Sequence, residues 1–204
     1  MLDNPDKKKK ILHAMGIADM EIEDISVTIE KLSIDDLPSD MPDAFKNLII
    51  DPETKVYESK NIRSIHKGVD FDFNREESEG TKRFFAIIGS WIKALENGQV
   101  IVVDELDTKL HVKLIEYLVR LFHNEEINPK NAQLIFTTHN TNLLDIQKLL
   151  RRDQVWFTEK NEKTGSSSLF SLVEFHEKNE GNIQKRYLDG RYGALPFIDD
   201  TQVL

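Results

Sequence analysis

The sequence contains no cysteine, so neither a disulfide nor a thiolate metal site can form. It has no apolar run near the roughly 18 residues of a membrane span. The basic opening at residues 7–10 leads into an apolar patch that His13 breaks, which makes a poor signal peptide. These absences favour a cytoplasmic protein with no membrane partner. Positive charge is scarce: 27 Lys and Arg stand against 36 Asp and Glu, a net charge of −9. That weighs against a surface devoted to nucleic-acid phosphates, which draws on clustered Lys and Arg. The lysines at 7–10 are the one dense basic cluster and read as a solvated helix start or tail. None of the nine glycines is followed by lysine, so the phosphate-cradling loop G-x-x-x-x-G-K-[ST] is missing from this sequence.

What is present suits a soluble globular protein. With 204 residues, 39% hydrophobic and 31% charged, the chain can build one sizeable core with a small appended lobe. Ile11, Leu12, Met15 and Ala18 share a face of a helix over residues 6–18. Residues 25–34 alternate and are β-branched, as a strand would be. Two prolines and three aspartates make residues 35–42 a loop, and residues 47–51 and 55–59 read as a short hairpin. Residues 1–65 carry no chemical motif and form a small α+β arm or subdomain; the remainder, 66–204, forms the main lobe.

From residue 84 the pattern becomes regular. Phe84, Ile87, Ile88, Trp91, Ile92 and Leu95 make one helical stripe, stopped by Asn97-Gly98. Val100-Ile101-Val102-Val103 is apolar at every position, as expected of a central parallel strand covered on both faces. A second helix carries Leu114, Ile115, Leu118 and Phe122, and the strand at 133–138 follows. Asn140 can cap a short helix carrying Leu143, Leu144 and Leu149. Residues 154–158 and 168–175 read as a hairpin at the sheet edge. The fold class is therefore α/β: a partly parallel sheet flanked by helices, with an edge β-hairpin and the N-terminal arm.

The chemistry collects at strand ends. Asp104 and Glu105 close the first strand, where open α/β sheets place ligands. Two half-buried carboxylates side by side repel, and either a divalent cation or solvent relieves that. His139 ends the second strand. Ser78-Glu79-Gly80-Thr81-Lys82-Arg83 opens the long helix, where free backbone N–H groups and the helix dipole suit phosphate, although an ordinary cap reads the same way. Each signal is weak alone; their order carries the weight.

That order resembles the C-terminal half of an ABC/SMC-type P-loop ATPase. Residues 78–83 look like the signature motif, residues 100–105 like Walker B, residues 106–111 like the D-loop, and His139 like the switch histidine. With Arg152 to Phe157 and Tyr187 to Pro196, the set resembles the ATPases of bacterial abortive-infection and restriction-linked operons. The resemblance covers about residues 66–200. It implies ATP and Mg²⁺ as cofactors, Glu105 and His139 as catalytic residues, and Asp104 as the Mg²⁺ residue. It places Ser78, Gly80, Thr81, Lys82 and Asp107 at nucleotide sandwiched between two heads, with Asp107 linking the two sites. The partners it implies are a second head in a homodimer and an effector such as a nuclease in phage defence. DNA contact would also fit, without support from the net charge. For the C-terminal segment from Tyr187 the resemblance suggests docking or closing of the active face, while the residues themselves read equally as a surface loop that packs Tyr187, Leu188 and Phe197 on the core.

Because Walker A is missing, it is expected to precede residue 1, and the chain alone is expected neither to bind ATP tightly nor to hydrolyse it. Two other readings compete. One is a non-catalytic interaction module that docks onto other ATPase heads. The other is a metal-dependent nuclease using Asp104, Glu105, Asp107 and His139.

Overall fold

The computed structural model describes residues 2–33, 37, 41–51, 54, 56–144, 149–161, 164–176 and 182–196. It is mixed α/β and divides into two compact units. One holds residues 1–101 with 130–132, the other residues 102–129 with 133–204.

In the first unit, helix α1 (Pro5–Ile17) begins where the Asn4 side chain accepts the N–H groups of Asp6 and Lys7. Strand β1 (Asp24–Ser33) pairs antiparallel with the long β2 (Val56–His66), from Asp24 opposite Ile65 to Ser33 opposite Val56. Strand β2 then turns into β3 (Val69–Asp72) through Lys67 and Gly68, both at positive φ (50° and 77°). Two successive positive φ values make the type I′ turn, whose twist matches that of the strands. Helix α2 (Asp43–Ile49) lies between β1 and β2. It corrects the expected strand at 47–51: short apolar runs fit helix and strand alike, and here the helix wins. The expected partner at 55–59 is instead the start of β2, paired with β1 rather than with a neighbour.

A short helix, α3 (Phe73–Glu76), leads into α4 (Glu79–Asn97). The predicted stripe is the buried face of α4, with Phe84 and Trp91 at 0% and 1% exposure, and α1 packs against this helix. The Lys10 ammonium also pairs with Glu96. Gly98 ends α4 in the left-handed conformation at φ 66°. A Cβ there would lie 2.6 Å from the Lys130 carbonyl oxygen.

The second unit is organised as strand, helix, strand. β4 (Val100–Val103) enters it, α5 (Val112–His123) crosses over, and β5 (Gln133–Phe136) returns beside β4. Thr137 N–H bonds the Val103 carbonyl at 3.0 Å, and the Thr137 carbonyl takes the Leu106 N–H at 3.0 Å. The first bond continues the parallel pattern of β4 and β5; the second closes over the turn beyond the strand end, since Leu106 lies three residues after Val103. Thr137 therefore lies opposite Asp104, and Ile135 opposite Val102. Both apolar residues are largely exposed, Val102 at 74% and Ile135 at 56%. The expectation of cover on both faces is corrected: one face of the β4–β5 pair is bare.

The hairpin forms, as β6 (Trp156–Lys160) and β7 (Ser167–Ser171), but as a two-stranded sheet of its own rather than at the edge of β4–β5. It packs Phe157 with Leu172 and Tyr192, and Tyr187 stacks on Phe157 at 5.3 Å. Tyr187 belongs to a last helix, α6 (Ile183–Leu188), and its hydroxyl donates to the Ala194 carbonyl at 2.9 Å. The C-terminal segment is thus anchored by Tyr187 and Tyr192, while Leu188 is 55% exposed and Phe197 lies outside the described residues. Arg152 donates to the Leu172 and Phe175 carbonyls, which gives it a structural role.

Gly98→Ala should lower stability by more than about 1 kcal/mol, because it places a side chain at positive φ and against backbone. Urea denaturation of both proteins measures it.

Candidate functional site

Four of the predicted residues meet in the second unit. β4 ends at Val103, and the chain turns sharply through Asp104 and Glu105, with Glu105 at φ 48°. A non-glycine residue held there costs about 1–3 kcal/mol. The turn is secured by a residue that the motif reading did not single out. The Thr137 hydroxyl donates to Asp104 Oδ1 at 2.5 Å and accepts the Glu105 N–H at 2.8 Å. Its backbone N–H bonds Val103 and its carbonyl takes the Leu106 N–H, so Thr137 touches all four residues from Val103 to Leu106.

The remaining groups close around Glu105. Thr108 Oγ1 donates to Glu105 Oε2 at 3.2 Å, and His139 Nε2 stands 3.9 Å from Oε1. Asp107 turns back to accept the His139 N–H at 3.2 Å, which ties the residues after β4 to those after β5. Leu106 and Leu110, at 0% and 8% exposure, anchor this segment from below. His111 lies beyond the site: its Nδ1 accepts the Lys113 N–H and caps α5.

The carboxylates are not half-buried, as expected, but open to solvent; the Glu105 side chain is 58% exposed and that of His139 86%. Water therefore relieves their mutual repulsion in this state. Three carboxylates beside one histidine still make a negative surface, which admits a polyphosphate only with a cation. Among the described residues, no three His, Asp or Glu side chains converge to hold a metal unaided. Mg²⁺ taken with a nucleotide is usually held by one or two carboxylates together with phosphate oxygens and water. Of the two Asp104 carboxylate oxygens, Oδ1 is the one that Thr137 engages.

In the first unit, Ser78, Gly80, Thr81 and Lys82 all lie at the opening of α4. Ser78 is the N-cap: its Oγ accepts the Thr81 N–H at 3.0 Å and lies 2.8 Å from Thr81 Oγ1. Lys82 pairs with Glu79 at 3.0 Å. The cap reading is therefore correct as local structure. It leaves a helix start whose Ser78 hydroxyl can exchange one hydroxyl partner for another without losing the cap.

A protein-family model described as "AAA domain, putative AbiEii toxin, Type IV TA system" matches residues 26–145. The chain belongs to this family. The matched AAA domain spans more than half of the chain and takes in β1–β3, the α4 opening, the β4 end with Asp104, Glu105 and Asp107, and His139. It starts well before the expected boundary at residue 66 and leaves out the aromatic hairpin cluster. The family supports an ATPase-type function in an abortive-infection setting. A search of curated proteins finds no match.

In this AAA domain the missed residue, Thr137, had a visible signal: a hydroxyl two positions before the strand-end histidine. What it touches depends on register, which no local pattern fixes. Thr137→Val removes only the hydroxyl. With a hydrogen bond worth about 1 kcal/mol, exchange of the Glu105 amide should rise roughly fivefold, and Thr137→Ser should restore it. Amide exchange followed by NMR gives the comparison.

Proposed function

We propose that this AAA domain is the C-terminal portion of an ABC-type, ATP-driven switch acting in the cytoplasm in phage defence. The observation that carries the reading is the Thr137 clamp, which fixes Asp104 and Glu105 at the carboxyl end of a parallel strand. In that reading residues 1–65 form an arm and residues 66–204 the head lobe, whose strand end is of Walker B type.

Each residue then has a task. Glu105 orients and deprotonates the attacking water; an exposed carboxylate held at Oε2 by Thr108 keeps Oε1 for it. His139 extends from the end of β5 as the group that contacts the terminal phosphate. Asp107, joined to the His139 backbone, passes a shift there to the opposite site. Asp104 would hold Mg²⁺, which when bound with ATP neutralises developing charge on the phosphates. Ser78, Gly80, Thr81 and Lys82 would meet the nucleotide of a second head, with backbone N–H groups and the helix dipole facing its phosphates. Closure of two heads on ATP and their release after hydrolysis would drive a partner effector, such as a nuclease.

The bare face at Val102 and Ile135 favours a further element covering the β4–β5 pair. A Walker A segment of the same head would supply that cover together with the missing phosphate loop. The alternative, a non-catalytic module that docks onto other heads, uses the same face.

In protein that carries a Walker A segment, Glu105→Gln should lower ATP turnover by roughly 100-fold or more, leave ATP affinity intact and stabilise the ATP-bound dimer. Turnover assays with size-exclusion chromatography in ATP measure both effects. Unchanged turnover would remove Glu105 from its role.

A further inference from the structure

The first unit contains a buried polar cluster that the nucleotide reading does not use. Glu77 sits between α3 and α4, with its side chain 10% exposed. One of its oxygens, Oε1, receives two groups of β2: Ser64 Oγ at 2.6 Å and His66 Nε2 at 2.6 Å. Ser64 is fully buried, at 0% exposure. Ser64 and His66 are two residues apart on one strand, so they point to the same face. The His66 ring is fixed in turn, edge-on to Phe71 of β3 at 5.4 Å.

Both sides of this contact are stiff. β2 is the central strand of its sheet, paired along its length with β1 and at its end with β3. On the other side Glu77 is directly followed by Ser78, the N-cap of α4. The approach to Glu77 is closed as well. Asp72 caps α3 through the N–H groups of Asn74 and Arg75, while Glu76 accepts the Asp72 N–H. Phe73, at 2% exposure, packs on Phe85 of α4 at 4.8 Å. Residues 72–81 therefore form a braced elbow between the sheet and the long helix.

We infer that Ser64 and His66 are positioning residues that act through Glu77: they lock the opening of α4 to the three-stranded sheet. A displacement of the sheet reaches Ser78 and Gly80, and a ligand at the helix opening is felt by the sheet. A partner engaging β1–β3 would thereby set the geometry of the helix start. For what that helix start touches, the inference rests on the proposed nucleotide reading; the mechanical link itself does not.

The test separates the two. Amide exchange is followed by NMR on the full chain at constant pH and without nucleotide, in wild type, Ser64→Ala, and Ser64→Ala combined with His66→Ala. Thr81 N–H bonds Ser78 Oγ, and Lys82 N–H bonds the Ser78 carbonyl. Exchange at these two amides should rise about tenfold in the double variant, with Trp91 and Leu95 further along α4 unchanged. His66→Gln, which keeps a donor, should stay close to wild type. Unchanged exchange at Thr81 and Lys82, or an equal rise along the whole of α4, would overturn the inference. Should the double variant fail to fold, Ser64→Ala decides by the same criterion with a smaller rise. In ATP-competent protein the double variant should lower kcat more than it raises KM. Absence of turnover in wild-type protein that carries a Walker A segment would count against the nucleotide reading and leave the exchange result standing.

Discussion

The hydroxyl of Thr137 is the contact on which the candidate site depends. Glu105 adopts a backbone conformation that L-residues avoid, and it does so beside another carboxylate. Without a partner the segment would relax toward extended or helical backbone, and Asp104 and Glu105 would lose their fixed relation. Thr137 prevents this by donating to one residue and accepting from the next, so its proton and one of its two lone pairs are committed. A hydroxyl suits this position because it can donate and accept at once. The strain at Glu105 and the clamp belong together: backbone strain persists where its surroundings over-determine it, and such places collect at functional sites.

The second constraint is the incomplete cover of β4 and β5. Strands that are apolar at every position are built to be buried on both faces. Here α5 stands in the crossover between the two strands, while Val102 and Ile135 face solvent on the other side. The same arrangement that leaves those side chains bare leaves the carboxylates solvated. A covering layer would bury both together. It would strengthen every electrostatic interaction at Asp104 and Glu105 and raise the demand for a cation.

Much of this was legible in the sequence where the signal is local. The stripe on α4 and its glycine stop set that helix, and β4, α5 and β5 followed from periodicity and length. Asp104, Glu105, Asp107 and His139 do come together, because a parallel strand–helix–strand unit brings neighbouring carboxyl ends side by side. The misses are non-local. β2 is long because it pairs with β1 from Asp24 to Ser33, across a connection that gives little hint of it. Residues 47–51 are apolar enough for either element, and tertiary context chose the helix. The apolarity of Val102 reports what the strand is suited to face, not what this chain places there. The roles of Thr137 and Ser64 were missed for one shared reason: each matters through a partner fixed by register or by a turn, at sequence separations of 33 and 13 residues.

The proposed role of the β4 and β5 ends is to form one side of a Mg²⁺–ATP site. It is tested most directly by placing a reactive metal in that site. Fe²⁺ replaces Mg²⁺ in ATP bound to protein that carries a Walker A segment, peroxide and ascorbate are added, and the cut positions are mapped by mass spectrometry. Such a site should give ATP-dependent cleavage close to Asp104 and Glu105 and close to His139, weakened in Asp104→Ala. Cleavage confined to other segments, or independent of ATP, would contradict it.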